Sequence, residues 1–461
     1  MFMKRACNLG LFHGVNLPNS GPCISHLCYA DDILFLGEWS EHNLMALIRL
    51  FRWLSLITGL KINCSKSTIY GVGVSDAEVS SFAKMANCGY GSFPFIHLRI
   101  PIGVNMKREK FWKPMLDKIS AKLSKWKARH LSFAGRMTLA KSVLGRIPSY
   151  YLSIFAAPKG IIQKMDKIRR DFVWGISDSG RKMRWIRWEY MMKAKKLGGM
   201  GLGGIRNFNL AMLSKWWWRF LSNPNELWVL VVGAIHKGKA ISIPPDIPVK
   251  KSIPGLWKDI ALVEYAMHKE GIYLKDKLER IGNIWIWKSD DYGGYSVKQV
   301  RFDLDKANED PVLNRPIFSW NCWAPPKANF LLWRSLIGRI ASKDGLIRRG
   351  LSFIDGSCSR CGLGLEDQDH IFSGCLWARS IWWNILRWLR ISFPVEIVKI
   401  SDMLDFINNQ PGGVKWKRVV YTVVLATVWR IWKARNEMTF EARFIPVTVS
   451  VNLIKEDAYL C

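Results

Sequence analysis

Two groups of side chains in this sequence have the types and spacing for metal chemistry. The first is Asp31–Asp32, in the segment ISHLCYADDILFLG over residues 24–37. Apolar runs flank the acids on both sides, a pattern that predicts strand, tight turn, strand, with the carboxylates at the tip. Two adjacent carboxylates between apolar strands are costly unless a cation compensates them. Mg²⁺, held by one or two carboxylates together with substrate phosphates, is the natural partner. A second pair, Asp290–Asp291 in KSDDYGGY, lies among polar residues and glycines and reads as a surface turn. The bare pair therefore carries little meaning; the apolar flanks and the preceding Tyr29-Ala30 carry the weight.

The other group is Cys358, Cys361, His370 and Cys375, spaced C-x2-C-x8-H-x4-C. Three thiolates and an imidazole fill a tetrahedral Zn²⁺ shell and leave no open position, which makes a structural rather than a catalytic centre. Gly362 directly behind the Cys-x2-Cys pair argues against a chance grouping. On the order of 10–16 kcal/mol comes from zinc in small sites of this kind, as much as the whole stability of a domain, about 5–15 kcal/mol.

The elements that must position these groups belong to a long chain. Its 461 residues, 49% of them hydrophobic and 13% aromatic, allow about three domains and exclude wholesale disorder. Lys and Arg number 68 against 37 Asp and Glu, a formal net charge of +31. Such a field attracts a polyanion: nucleic acid first, an anionic membrane surface second. The 24 Trp could stack on unpaired bases, although the bulk of them read as fillers of helix interfaces. No N-terminal apolar run is long enough for a secretion signal, and the stretches Leu227–Ile235 and Val419–Trp429 are too short to span a membrane. An intracellular location with reduced cysteines follows as an expectation.

Charge and texture divide the chain. Between Val104 and Met200 stand 24 Lys and Arg against 6 Asp and Glu, a local net +18. Within it Phe111, Met115, Ile119, Leu123 and Trp126 recur at three- and four-residue spacing, which predicts one amphipathic helix with a basic outer face. That face either binds nucleic acid or is merely solvated; the length of the basic stretch favours binding. Ser40 and Gly59 bracket another helix. The expected organisation is 1–75, 76–235 (basic and helical), 236–315 (a Pro-containing connector), 316–400 (the Cys/His region) and 401–461 (a helical tail). GMGLGG near residue 200 follows no strand, so a dinucleotide-binding reading is rejected.

Several of these segments together resemble one family. Tyr29-Ala30-Asp31-Asp32 resembles the YADD motif of reverse transcriptases, in the form found in plant non-LTR (LINE-type) retrotransposons. The segment from Gly59 to Ser67, GLKINCSKS, is similar to the family's segment on the C-terminal side of that hairpin. FIHLRIPIG, residues 95–103, resembles the primer-grip region, with His97 and Arg99 in place of Tyr and Gly. LSFAGRMTLAKSVLGRIPSYYLSIFAAPKG, DFVWG, KKLGGMGLGG and LAMLSKWWWRF resemble the thumb-like part. The Cys/His cluster and its flanks resemble the reverse-transcriptase zinc-binding domain.

The resemblance implies an RNA-directed DNA polymerase. Asp31 is then the main Mg²⁺ ligand and Asp32 its partner, one metal activating the primer 3′-hydroxyl and the other steadying pyrophosphate. Lys66 would lie near the incoming nucleotide, although by its residue type alone it is equally a surface lysine. RNA template and DNA primer, or non-specific nucleic acid, would be the partners, with no membrane. The implied fold is α+β and predominantly helical: a truncated palm hairpin, a helical thumb and connector, and a small helical zinc-binding domain.

Residues 1–30 contain no Asp or Glu, so the further carboxylate a two-metal polymerase needs is not there. The expectation is an N-terminally truncated form, inactive alone as a polymerase. A non-catalytic, zinc-containing nucleic-acid-binding remnant is the alternative. A Gly-to-Arg change at Arg99, where a close backbone approach favours glycine, counts against primer gripping and fits a third reading, a translated relic with no selected function.

Overall fold

Helices dominate the chain, and every sheet among the described residues is a single pair of strands. The computed structural model describes residues 2–175, 183–236, 247–250, 252–282, 284–288, 293–308, 318–353 and 355–459. The α+β, mainly helical expectation therefore holds. Asp290 and Asp291 lie outside the described residues. The chain divides into two units, each discontinuous in sequence: 1–122, 143–167 and 205–308, and then 123–142, 168–204 and 309–461.

In the first unit, His26–Tyr29 and Asp32–Phe35 form an antiparallel hairpin with Tyr29 opposite Asp32. The helix Glu41–Thr58 comes next. Ser40 accepts a hydrogen bond from the Asn43 N–H at its start, and Gly59, at φ 72°, closes it with an N–H bond to the Ser55 carbonyl. Both ends thus carry the residue types that favour them. Phe12, Met3 and Ala6 pack with Phe35, Leu47 and Leu50, which seats the hairpin against this helix. Thr68–Tyr70 and Gly89–Gly91 pair in parallel across the capping-box helix Asp76–Met85. Phe95–His97 and Ile100–Ile102 form a further hairpin.

The main core of this unit lies along the helix Ile205–Ser222. Leu210, Leu213 and Trp217 pack with Trp257, Met267, Trp287 and Leu304. Residues read in sequence as a connector thus supply much of that core. Trp217 Nε1 donates to the Ile260 carbonyl at 3.0 Å, and Trp257 Nε1 to Pro248 at 2.7 Å. Filling interfaces is what Trp112, Trp217, Trp287, Trp333 and Trp382 do: all five are fully buried.

One sequence expectation is corrected. The periodicity from Phe111 to Trp126 is divided among a 3-10 turn, Glu109–Trp112, and two helices, Lys113–Lys122 and Lys125–His130. Ser124 lies between them in extended backbone, φ −69° and ψ 149°, a conformation that suits Ser before a helix. Met115, Ile119 and Leu123 are buried as expected.

In the second unit, Pro325 and Pro326 open the helix Pro326–Leu336, where a missing N–H costs nothing. The helix Leu376–Trp388 packs on Val414–Glu441 and Val447–Tyr459. Leu386, Val424, Val428, Ile431 and Ile454 are all buried. Most of the apolar run, from Val420 to Val428, is thus core, although Val419 is exposed, and no helix of the described residues is long and apolar enough to cross a membrane.

Candidate metal centre

Cys358, Cys361, His370 and Cys375 come together, with their ligand atoms all within 4.8 Å of one another. A tetrahedral Zn²⁺ site with Zn–S bonds of about 2.3 Å requires sulfur atoms about 3.8 Å apart, so this cluster already has nearly the needed dimensions. The donor set also fits: three sulfurs and one imidazole nitrogen close the shell.

Local backbone chemistry builds each half. The Ser357–Leu365 bridge holds the base of the first loop. The Cys358 N–H bonds the Gly364 carbonyl at 3.1 Å, and the Gly362 N–H bonds the Cys358 carbonyl at 2.9 Å. Gly362 and Gly364 take φ of 66° and 70°, the left-handed region that favours glycine. The Leu363 N–H points at Cys361 Sγ, 3.4 Å away.

The second half is a π-helical turn, His370–Gly374, a rare geometry that recurs at functional sites. Asp367 caps it by accepting the His370 N–H at 2.7 Å. His370 Nε2 faces the cluster, 3.2 Å from Cys361 Sγ. Cys375 then sits at the N-cap of the helix Leu376–Trp388, where the amides of Trp377 and Ala378 reach its sulfur. Helix N-termini favour thiolates. Without metal, Cys358 and Cys375 share a hydrogen bond: it draws the Cys358 thiol well below its usual range, whereas the same bond and burial push Cys375 up.

Three side chains that spacing did not reveal complete the surroundings. Arg360 stacks on Trp377, 3.8 Å from the ring centroid, and on Phe444 at 4.9 Å. Burial pulls its guanidinium down, and Cys375, Cys358 and Glu437 hold it up. Zn²⁺ with three thiolates carries a net −1, which this cation offsets. Glu366 and Arg435 form a buried ion pair, and Glu366 also accepts the Lys343 N–H at 3.1 Å. Their separation of 69 residues hides the pair from any local pattern. The π-turn was equally invisible, although the short x4 interval between His370 and Cys375 was a faint sign of it.

The other sequence-derived site residues lie in the first unit. Asp31 occupies the hairpin turn and Asp32 starts the second strand, both exposed. Ala30 precedes them at φ 52°, a conformation costly for a residue with a Cβ. Among the described residues the Cys358 cluster is the one group of three or more potential metal ligands, so no third ligand joins Asp31 and Asp32. Lys66 is exposed at the end of a 3-10 turn, its N–H bonded to Asn63. Arg99 stands at φ 65° beside Leu98 at φ 48°, in the turn between Phe95–His97 and Ile100–Ile102.

Residues 295–382 match the family described as zinc-binding in reverse transcriptase. All four clustered ligands fall inside that match. The chain is also similar to an Arabidopsis thaliana protein named "Putative ribonuclease H protein At1g65750", 35% identical over 398 residues, 70% of this chain and 63% of the relative. A second relative is "Uncharacterized mitochondrial protein AtMg00310", also from Arabidopsis thaliana. It is 30% identical over 82 residues, 18% of this chain and 53% of the relative. The chain thus spans less than two thirds of the length of either relative. The Cys₃His cluster therefore lies within the zinc-binding match.

Proposed function

We propose that this chain derives from the reverse transcriptase of a plant LINE-type retrotransposon and acts as a zinc-stabilised nucleic-acid-binding protein. The observation that carries the reading is the convergence of Cys358, Cys361, His370 and Cys375 inside a reverse-transcriptase zinc-binding match. The net charge of +31 supports nucleic acid as the partner, through phosphate contacts and release of counterions. Zinc, held by the three thiolates and His370 Nε2, supplies cross-linking of two loop segments rather than chemistry.

RNA-directed DNA polymerisation is the second reading, favoured by the Tyr29–Asp32 hairpin with its left-handed Ala30. Non-glycine residues in this conformation concentrate at functional sites. Asp31 and Asp32 would supply two carboxylates to Mg²⁺, with Lys66 toward the nucleotide phosphates. The two readings part in a primer-extension assay with Mg²⁺ or Mn²⁺ and an RNA template. Binding without extension supports the first. Template-dependent incorporation that Asp31→Ala abolishes would establish the second in its place.

A further inference from the structure

Arg334 and Arg349 share one indole. The Arg349 guanidinium lies 4.1 Å from the Trp185 ring centroid and that of Arg334 5.3 Å from it. Arg334 also rests against Phe330 at 5.6 Å. Arg339 joins them: its carbonyl accepts from Arg334 Nε at 2.7 Å, and its charge, like that of Arg348, acts on Arg349. Arg348 is exposed at the end of the short helix Lys343–Ile347 and pairs with Asp344. Among the described residues this is the one carboxylate paired with any of the four arginines.

Arg349 donates to the Gly345 carbonyl at 2.9 Å and to the Trp185 carbonyl at 3.4 Å, so the cost that stays uncompensated lies at Arg334. Arg334 Nη2 is buried without a hydrogen-bond partner. Burial, and then the neighbouring Arg349, pull the Arg334 guanidinium down to about 10, which still leaves it charged at neutral pH. Like charges gathered with one buried at the back are unfavourable unless an anion compensates them. Arg339 and Arg349 are half-buried and Arg348 exposed, so solvent and anions reach these residues. The planar forks of arginine match the oxygens of a phosphate. Trp185 carries two guanidinium groups, so it holds the arginines in place rather than receiving a base.

We propose that Arg339, Arg348 and Arg349, backed by Arg334 and set by Trp185, form a phosphate-binding site for the backbone of single-stranded nucleic acid. The inference rests on the nucleic-acid-binding reading above and gives it a location. The site is tied to the metal centre. Lys343 Nζ bonds the Ser357 carbonyl next to Cys358 at 2.6 Å, and the Asp344 N–H bonds the Glu366 carbonyl at 3.1 Å. The helix that leads into Arg348 and Arg349 therefore depends on the zinc loop for its position.

The test is fluorescence anisotropy of the full zinc-loaded chain with a fluorescein-labelled single-stranded RNA, titrated between about 50 and 200 mM salt. Arg339→Gln with Arg349→Gln is expected to weaken binding about tenfold and to flatten the log–log salt slope by about 0.7 for each phosphate no longer neutralised. Arg349→Lys keeps the charge but loses the fork and the stack on Trp185, and should retain only part of the affinity while keeping the salt slope of the parent. Arg339→Gln alone, which leaves the Trp185 stack in place, should flatten the slope by one phosphate's share even where the double variant folds poorly. Lys298→Gln with Lys306→Gln, two exposed lysines elsewhere, removes the same charge and should change the slope by less than half of one such share. Equal slopes in the arginine variants and the parent would overturn the site while leaving the general reading intact. Failure of the parent chain to bind RNA would overturn the reading itself. Displacement of the RNA by polyglutamate as readily as by unlabelled RNA would assign the site to acidic polypeptide and overturn the proposal.

Discussion

The Glu366 carboxylate and the Arg435 guanidinium form an ion pair with 0% and 5% of their side chains exposed. Arg435 Nε donates to Glu366 Oε2 at 3.2 Å, and Nη2 donates to Oε1. The pair fastens the loop carrying Cys358 and Cys361 to the long helix Val414–Glu441. A buried pair contributes little net stability when compared with apolar side chains, but breaking it strands a charge. Glu366→Ala should therefore cost about 3–5 kcal/mol in urea unfolding of the zinc-loaded chain. Glu366→Gln with Arg435→Met should cost distinctly less, because no charge remains buried.

Arg99 tests a different kind of cost. At φ 65° its backbone is in the region where a Cβ is penalised by about 1–2 kcal/mol. Its carbonyl accepts the Tyr151 hydroxyl at 3.1 Å, a bond that any residue can keep. Arg99→Gly should thus stabilise the chain by about 0.5–1 kcal/mol after the extra unfolded-state entropy of glycine is counted. A higher midpoint in urea is the expected outcome. Unchanged or lower stability would mean that the arginine side chain itself contributes there.

His236 gives a pH prediction. Burial, and then Lys250, hold its imidazole below the usual value, and its Nδ1 accepts the Lys250 N–H at 3.3 Å. The unfolded chain takes up this proton first as the pH falls. The contribution to stability is then complete above the unfolded value of about 6.5 and is lost as the pH drops from there toward the folded value. Unfolding midpoints between about pH 7.5 and 5.5 should fall for the parent chain and fall less for His236→Gln.

Arg360 should matter through charge. Arg360→Met keeps a side chain that can lie on Trp377 but removes the cation near two thiolates. Zinc affinity should fall about 10- to 100-fold, as for other groups that surround metal ligands, with the fold unchanged when zinc is saturating. A competition titration with a chromogenic chelator measures it.

Much of the metal centre was legible in the sequence because each half is local. Cys-x2-Cys-Gly encodes its own turn, and His-x4-Cys needs only the few residues of the π-turn. The helix from Ser40 to Gly59 was legible for the same reason, since its caps are next to its ends. Non-local features were not. Glu366 meets Arg435, and Trp185 meets Arg334 and Arg349, across intervals that no periodicity spans. The single helix expected from Phe111 to Trp126 failed because apolar spacing continued through Ser124 while the backbone did not. The Asp31–Asp32 hairpin was correctly read as strand, turn, strand, yet a hairpin alone does not bring a third metal ligand to its tip.

The proposed nucleic-acid-binding role has zinc as the tie between the two loop segments that carry Cys358, Cys361, His370 and Cys375. Hydrogen exchange over residues 355–380 of the full chain, before and after chelation, measures that tie. Protection in this segment should be lost with chelator and recovered on adding Zn²⁺ but not Mg²⁺. Protection that persists unchanged without metal would contradict it.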